Sequence, residues 1–413
     1  MVINDHFKQY INISLLNLIL VAVLGILMRY KIGFEFPYFD QKYLQYAHSH
    51  FAFTGWITHT LYTFIVYILS KEIPGINVSR YFTIIKINLL CSYGMLISFA
   101  LQGYDIASIF FSSASILLSF AFAGVFFADT ILKKQYFIGH SWFSAALLFA
   151  IISSAGTFML AYIMSAGNVN LDLYISSVYF YLHFQYNGWF FFACMGLFAW
   201  KINAIIPDFK VPPVVFKLFA VSCIPAFFLS VLWLQIPLWI YSLVVVAAFS
   251  QVIAFAIFIK KINSRLINIK NHTGLFLQVL FLFVGTAVAI KLMLQLFSIF
   301  PSISQLAFGF RTIVIAYLHL VLLAFVSVYL LLFMFWEGFI TGSKASVTAM
   351  IIIISGIFLN ELILLIQGIS SFSYTLVPFA NEGLFAVSAV ILLGVLLLLL
   401  SNLKKKILQN DKL

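Results

Sequence analysis

The chain has 413 residues, of which 64% are hydrophobic and 8% charged, and its formal net charge is +11. That balance excludes a soluble globular domain and marks an integral membrane protein over almost the whole length. The basic excess does not point to nucleic acid, because the lysines and arginines lie in short segments between apolar runs, where they set membrane orientation.

A transmembrane helix needs about 20 mainly apolar residues. Twelve such runs follow one another, at about 11–30, 45–69, 81–102, 106–130, 138–165, 174–200, 214–233, 236–260, 273–298, 311–336, 347–369 and 383–402. No small-residue cleavage site follows the first run, which reads as a retained helix and not as a signal peptide. The expected architecture is all-α, a polytopic membrane protein with one twelve-helix transmembrane domain over residues 1–413. Cys91, Cys194 and Cys223 all fall in apolar runs and form neither a disulfide framework nor a CxxC site, so their expected role is structural.

The segments after even-numbered spans, with the C-terminus, hold Lys71, Arg80, Lys133, Lys134, Lys201, Lys210, Lys217, Lys260, Lys261, Arg265, Lys270, Lys344 and the Lys404–Lys406 cluster. Those after odd-numbered spans are nearly bare beyond Arg29, Lys31 and Lys42. The positive-inside rule therefore places both termini in the cytoplasm.

The histidines fall unevenly. His6 and His272 lie at loop edges, and His140 opens the fifth span at the cytoplasmic interface. His48, His50 and His59 lie in span two, His183 in span six and His319 in span ten. An ionisable side chain inside a membrane is costly, so its default reading is functional. HSHFAFTGW at 48–56 and YLHFQYNGW at 181–189 share His-Phe-x-aromatic-x-Gly-Trp. YLHLVLLAF at 317–325 repeats the Tyr-Leu-His, with Ala324 and Phe325 in the Gly-Trp places. All three spans run from outside to inside, and each motif histidine comes within about 15 Å of the outer end by helical rise. The recurrence every fourth helix has the form of a four-helix unit used three times.

Neutral imidazole is a good ligand for haem iron or copper. Gly55 and Gly188 would leave room for a flat macrocycle, lined by the neighbouring aromatic rings. A single membrane histidine is more often an interhelical hydrogen-bond partner; three at matched depth on matched helices favour a metal or haem site. His48 and His50 are about 200° apart around their helix, so the two cannot face one haem together. The internal repeat favours His50. His59 lies about 16 Å below His48 with no partner histidine at that depth, so a hydrogen-bonding role is expected for it.

With its twelve spans and these motifs, the chain resembles the catalytic subunit I of the haem–copper oxidase superfamily, which includes the nitric oxide reductases. The resemblance covers the whole chain in topology, and spans two, six and ten in motifs. It implies three arcs of four helices in pseudo-threefold arrangement. AHSHF at 47–51 is similar to the family's Ala-His on helix two, a low-spin haem ligand, which favours His48. YLH at 317–319 is similar to the His-x-His of helix ten, where the second histidine binds the low-spin haem. His183 falls where helix six supplies a copper ligand. The departures are as informative: Tyr317 replaces the first helix-ten histidine, span seven has no histidine pair, and Asn187 stands where the oxidases carry a tyrosine. The resemblance therefore implies one low-spin haem b held by His319 and either His48 or His50, with copper not expected, because His183 alone is too small a ligand set. It further implies electron transfer, or reduction or sensing of oxygen or nitric oxide, with a separate donor protein or quinol, a bacterial inner membrane and further subunits as possible partners beside the lipid bilayer.

Other polar residues are candidates for supporting roles. Arg29 and Arg311, near the outer ends of spans one and ten, are candidates for pairing with haem propionates or with lipid headgroups. Tyr181, Gln185 and Asn187 flank His183 and would make span six a polar pocket without metal. Glu361, with Asn360, lies near the middle of span eleven, and with Tyr317 it is a candidate for a proton path. Lys86 and Lys291 lie in spans three and nine, Lys291 near enough to the outer end to snorkel; Gln278, Gln295 and Gln367 are candidates to extend a path. A transporter or channel that kept the scaffold and lost the haem is the competing reading, with Pro225 and Pro237 as the hints of broken helices.

Overall fold

A computed structural model describes residues 2–166 and 170–410; the side chains of the Lys404–Lys406 cluster lie outside the described residues. Among the described residues 85% are helical and none is in a strand. Among the described residues eleven helices are long and apolar enough to cross a membrane: α1 Asp5–Gly33, α2 Gln41–Glu72, α3 Val78–Gln102, α4 Ile106–Leu132, α5 His140–Ser165, α6 Leu171–Ile205, α8 Leu238–Asn263, α9 Leu275–Phe297, α10 Arg311–Trp336, α11 Lys344–Phe372 and α12 Ala380–Leu403. The seventh apolar run, α7, is a pair of helices, Pro213–Cys223 and Pro225–Val231, bent by 45°, which makes a twelfth span if the pair crosses as one. With α7 counted, all twelve expected runs are helical, and the abundance of apolar helices marks an integral membrane protein.

The helix starts follow from local chemistry. Asp40 accepts the backbone N–H groups of Lys42 and Tyr43 and so begins α2. Asp105 and Ser108 form a capping box at α4, and Asn77, Asn170 and Ser343 cap α3, α6 and α11. The break in α7 has a covalent cause. Pro225 has no N–H to donate and its ring crowds the carbonyl four residues back.

Packing divides the chain into two compact units, Met1–Asp129 with Leu330–Leu413, and Thr130–Tyr329. In the first, α1 packs against α2 and α12, α3 against α2 and α4, and α11 against α12. In the second, α5 packs against α6, α7 against α8, α8 against α9, and α9 against the middle of α10. Three helices differ from the others. In α2, 89% of the most apolar stretch is buried, and in α6 and α10 72%, against 22–39% in the other eight intact helices. These are the three helices that carry the motif histidines.

Candidate functional site

Each motif histidine stands at the entry to a wide turn. The α-helical ladder gives way to π-helix over Ala52–Thr58 in α2, Phe184–Phe190 in α6 and Leu320–Ser327 in α10. His183 and His319 directly precede their segments, and His50 comes two residues before its own. A π segment inserts one residue into the ladder, frees backbone carbonyls and is enriched at functional sites. The freed groups find partners here. Asn17 of α1 donates its side-chain amide to the Gly55 carbonyl (2.5 Å) and accepts from the Tyr93 hydroxyl (2.7 Å), and Ser327 donates to the Leu322 carbonyl (2.8 Å). The repeat seen in sequence is thus also a repeat of backbone conformation.

His48 and His50 point to different neighbours, as their spacing requires. The Nδ1 of His48 lies 3.1 Å from the Val21 carbonyl of α1, and its Cε1 lies 3.6 Å from the place a Cβ on Gly25 would take. A carbonyl only accepts, so Nδ1 carries the proton and Nε2 the lone pair. His50 turns towards α3, its ring stacked 4.3 Å from Phe99 and its Nε2 2.9 Å from the Tyr104 hydroxyl. His319 repeats the His48 arrangement, with Nδ1 2.9 Å from the Ile315 carbonyl of its own helix. A backbone carbonyl on Nδ1 fixes the tautomer and ring plane found in metal-ligating histidines that bind through Nε2.

His183 differs. It is 0% exposed, its Nε2–H donates to the Cys223 carbonyl at 2.8 Å, and its Nδ1 accepts from the Asn187 amide at 3.1 Å. Both nitrogens are taken by the protein. The carbonyl it holds lies at the break in α7, where the Phe227 N–H, which would reach Cys223 in a continuous α-helix, turns to Ile224 instead. His183 therefore closes a backbone gap that Pro225 opens. Asn187 is the flanking residue that bonds His183, whereas Gln185 donates to Ser153 Oγ of α5 (2.8 Å). Tyr181 lies against Gly156 of α5, where an added Cβ would meet its backbone N at 2.8 Å. Tyr317 meets Tyr186 edge to face at 6.0 Å.

The expectation that Gly55 and Gly188 leave room for a macrocycle is corrected. An added Cβ at Gly55 would lie 2.6 Å from the Phe51 ring, and at Gly188 2.5 Å from the Phe149 Cβ. The glycines admit phenylalanine side chains, and Gly188 sets the close contact of α5 with α6. His59 meets its expectation: it is fully buried, its Nε2 lies 3.3 Å from the Tyr10 carbonyl, and its ring stacks on Tyr10 at 6.0 Å. Arg29 is half-buried in α1, while Arg311 is exposed at the first position of α10. Glu361 is half-buried, with its Oε1 3.2 Å from the Asn360 amide. Lys86 is exposed, where its stem can snorkel. Lys291 does not snorkel; it is only 4% exposed.

Two ion-pair clusters were not anticipated, both in the first unit. Asp129, 1% exposed, pairs with Arg80 and accepts from the Tyr81 hydroxyl at 2.9 Å. Glu337 accepts from Tyr67 at 2.8 Å and lies 3.5 Å from Lys71. The sequence signal was present, since Asp129 and Glu337 are acidic residues at the ends of apolar runs that lie across from basic segments. Among the described residues no group of three or more His, Cys, Asp or Glu gathers as a metal-holding set. No family model and no curated protein sequence matches the chain.

Proposed function

We propose that the chain is a haem-binding redox protein, a divergent relative of haem–copper oxidase subunit I, carrying one low-spin b-type haem, for which His319 and His48 are the favoured ligand candidates. The observation that carries this reading is the shared state of the two imidazoles. Each has its Nδ1 at a backbone carbonyl, the contact by which a protein fixes the tautomer and ring plane of a histidine that ligates through Nε2. His50 differs from both, in that the nitrogen held by a protein partner is Nε2, at the Tyr104 hydroxyl. Two imidazoles are the ligand set that a low-spin haem needs; copper is not part of the proposal, because His183 gives both its nitrogens to protein partners. A haem iron with two histidine ligands supplies reversible one-electron transfer.

The chain's own contribution is to hold the two rings. Val21 and Ile315 orient them, and the π segment after His319, like that behind the span-two pair, sets the helix path beyond the ligand. An electron donor, a protein or a quinol, would be separate. The basic segments support both termini in the cytoplasm, and the resemblance implies a bacterial inner membrane. A pyridine haemochrome assay on protein expressed with ample haem tests the reading. One b-type haem per chain is expected, and a value near zero would sink it.

One observation favours a second reading. The break in α7 is the kind of discontinuous span from which transporters build binding sites. Its Cys223 carbonyl is occupied by His183, which weighs against that use. A protein without haem that accumulates solute in vesicles would favour it.

A further inference from the structure

The second unit holds a buried polar cluster that the haem reading does not use. Lys291 of α9 is 4% exposed, and no carboxylate among the described residues pairs with it. Its ammonium lies 5.6 Å from the Phe191 ring and within electrostatic reach of the Cys223 thiol and of His183. Gln295, one turn further along the same face, is 7% exposed, and Gln251 of α8 is 4% exposed.

Register places Gln251 opposite them. Val244, Ala247 and Ala248 of α8 pack with Leu296, in the last turn of α9, and with Ile299 just beyond it. The two helices are consecutive spans and run antiparallel. One turn inward from Ala247 and Ala248 is Gln251, and one turn back from Leu296 and Ile299 are Leu292 and Gln295, with Lys291 beside them. Three carboxamide oxygens, Asn187 Oδ1, Gln251 Oε1 and Gln295 Oε1, are buried with no hydrogen-bond partner among the described residues. Lys291 brings three N–H donors and no direct acceptor. Donors and acceptors are both present, yet the ammonium lies within direct bonding distance of none of these oxygens. Such groups are bridged by buried water, which needs two to four polar partners at one place.

We propose that Lys291, Gln251, Gln295 and Asn187 enclose a hydrated, proton-exchanging pocket inside the membrane part of this unit, with Lys291 as the group that takes up and releases the proton. The pocket's ligand is the proton, carried by water. Carboxamide oxygens stabilise the ammonium without a fixed counter-charge, so the amine can lose its proton without leaving a buried carboxylate behind. The titratable groups facing Lys291 are His183 on α6 and Cys223 on α7; Gln251 on α8 is neutral, and Leu320–Ser327 of α10 carries no titratable group. The site is independent of haem occupancy.

Cys223 is a built-in reporter, because the S–H stretching band falls in a clear region of the infrared spectrum. The full chain in detergent is moved into D2O buffer and titrated with pH, beside Cys223→Ala to assign the band, Lys291→Met and Lys291→Arg. The expected result is that the Cys223 S–H exchanges to S–D well before that of buried Cys194, and that its frequency steps with pH in the wild type. Lys291→Met removes the step, and so does Lys291→Arg, which keeps the charge but does not release its proton. A structural charge would leave the arginine variant like the wild type. An unexchanged Cys223 S–H, or a pH step that survives in either lysine variant, would overturn the proposal.

Discussion

Replacing His183 with leucine removes the donor that holds the Cys223 carbonyl and the acceptor that holds the Asn187 amide. An interhelical hydrogen bond in a membrane protein is worth about 0.6 kcal/mol on average and about 1.7 at most. A buried group stripped of its partner costs about 1–3 kcal/mol. His183 is 0% exposed, so bulk water cannot replace it at either partner. The expected loss for His183→Leu is about 2–4 kcal/mol, after part is regained by leucine's own burial. For a unit of this size that lowers the melting temperature by roughly 5–15 °C, read by tryptophan fluorescence in detergent. His183→Gln keeps an amide donor and recovers part of the loss. Haem content per folded molecule stays at the wild-type value in both. A His183→Leu variant that melts with the wild type, or one that folds fully and loses haem, would refute the assignment of His183 to the α7 break.

Gly188→Ala places a methyl 2.5 Å from the Phe149 Cβ, an atom fixed to its backbone, and destabilises by about 1–3 kcal/mol in the same melt, whereas Gly285→Ala meets nothing within 4 Å and stabilises by roughly 0.5–1 kcal/mol. Asn17→Leu strips the Gly55 carbonyl and the Tyr93 hydroxyl of a partner; hydrogen exchange across Ala52–Thr58 should accelerate more than in the remainder of α2. Asp129→Ala leaves Arg80 and Tyr81 without their acceptor and costs about 1–3 kcal/mol, less than a fully buried pair would, because the Arg80 side chain is 38% exposed.

The spans and the importance of the second, sixth and tenth were legible because apolar length and a fourfold spacing of histidines are linear properties. The same three helices prove the most buried. What periodicity does not carry is the π segments: an i→i−5 ladder leaves no composition signature, and only the fixed offset of Gly55 and Gly188 from their histidines hinted at a repeated backbone event. A sequence does not say which group fills the space that a glycine leaves; at Gly55 and Gly188 it is Phe51 and Phe149. The role of His183 was hidden for a related reason. Its partner is a main-chain carbonyl 40 residues away, and the cause of that carbonyl's exposure is Pro225, which read only as a weak sign of a broken span. For Lys291, distance from a span end says nothing about which side of the helix is buried, and its side faces inward.

The measurement that tests the central claim most directly is a reduced-minus-oxidised optical spectrum of the purified protein, wild type beside His319→Ala, His48→Ala and His50→Ala. The account predicts a sharp low-spin b-type band in the wild type, its loss in His319→Ala and His48→Ala, and its retention in His50→Ala. A featureless wild-type spectrum from haem-replete cells, or a band indifferent to His319 and His48, would contradict it.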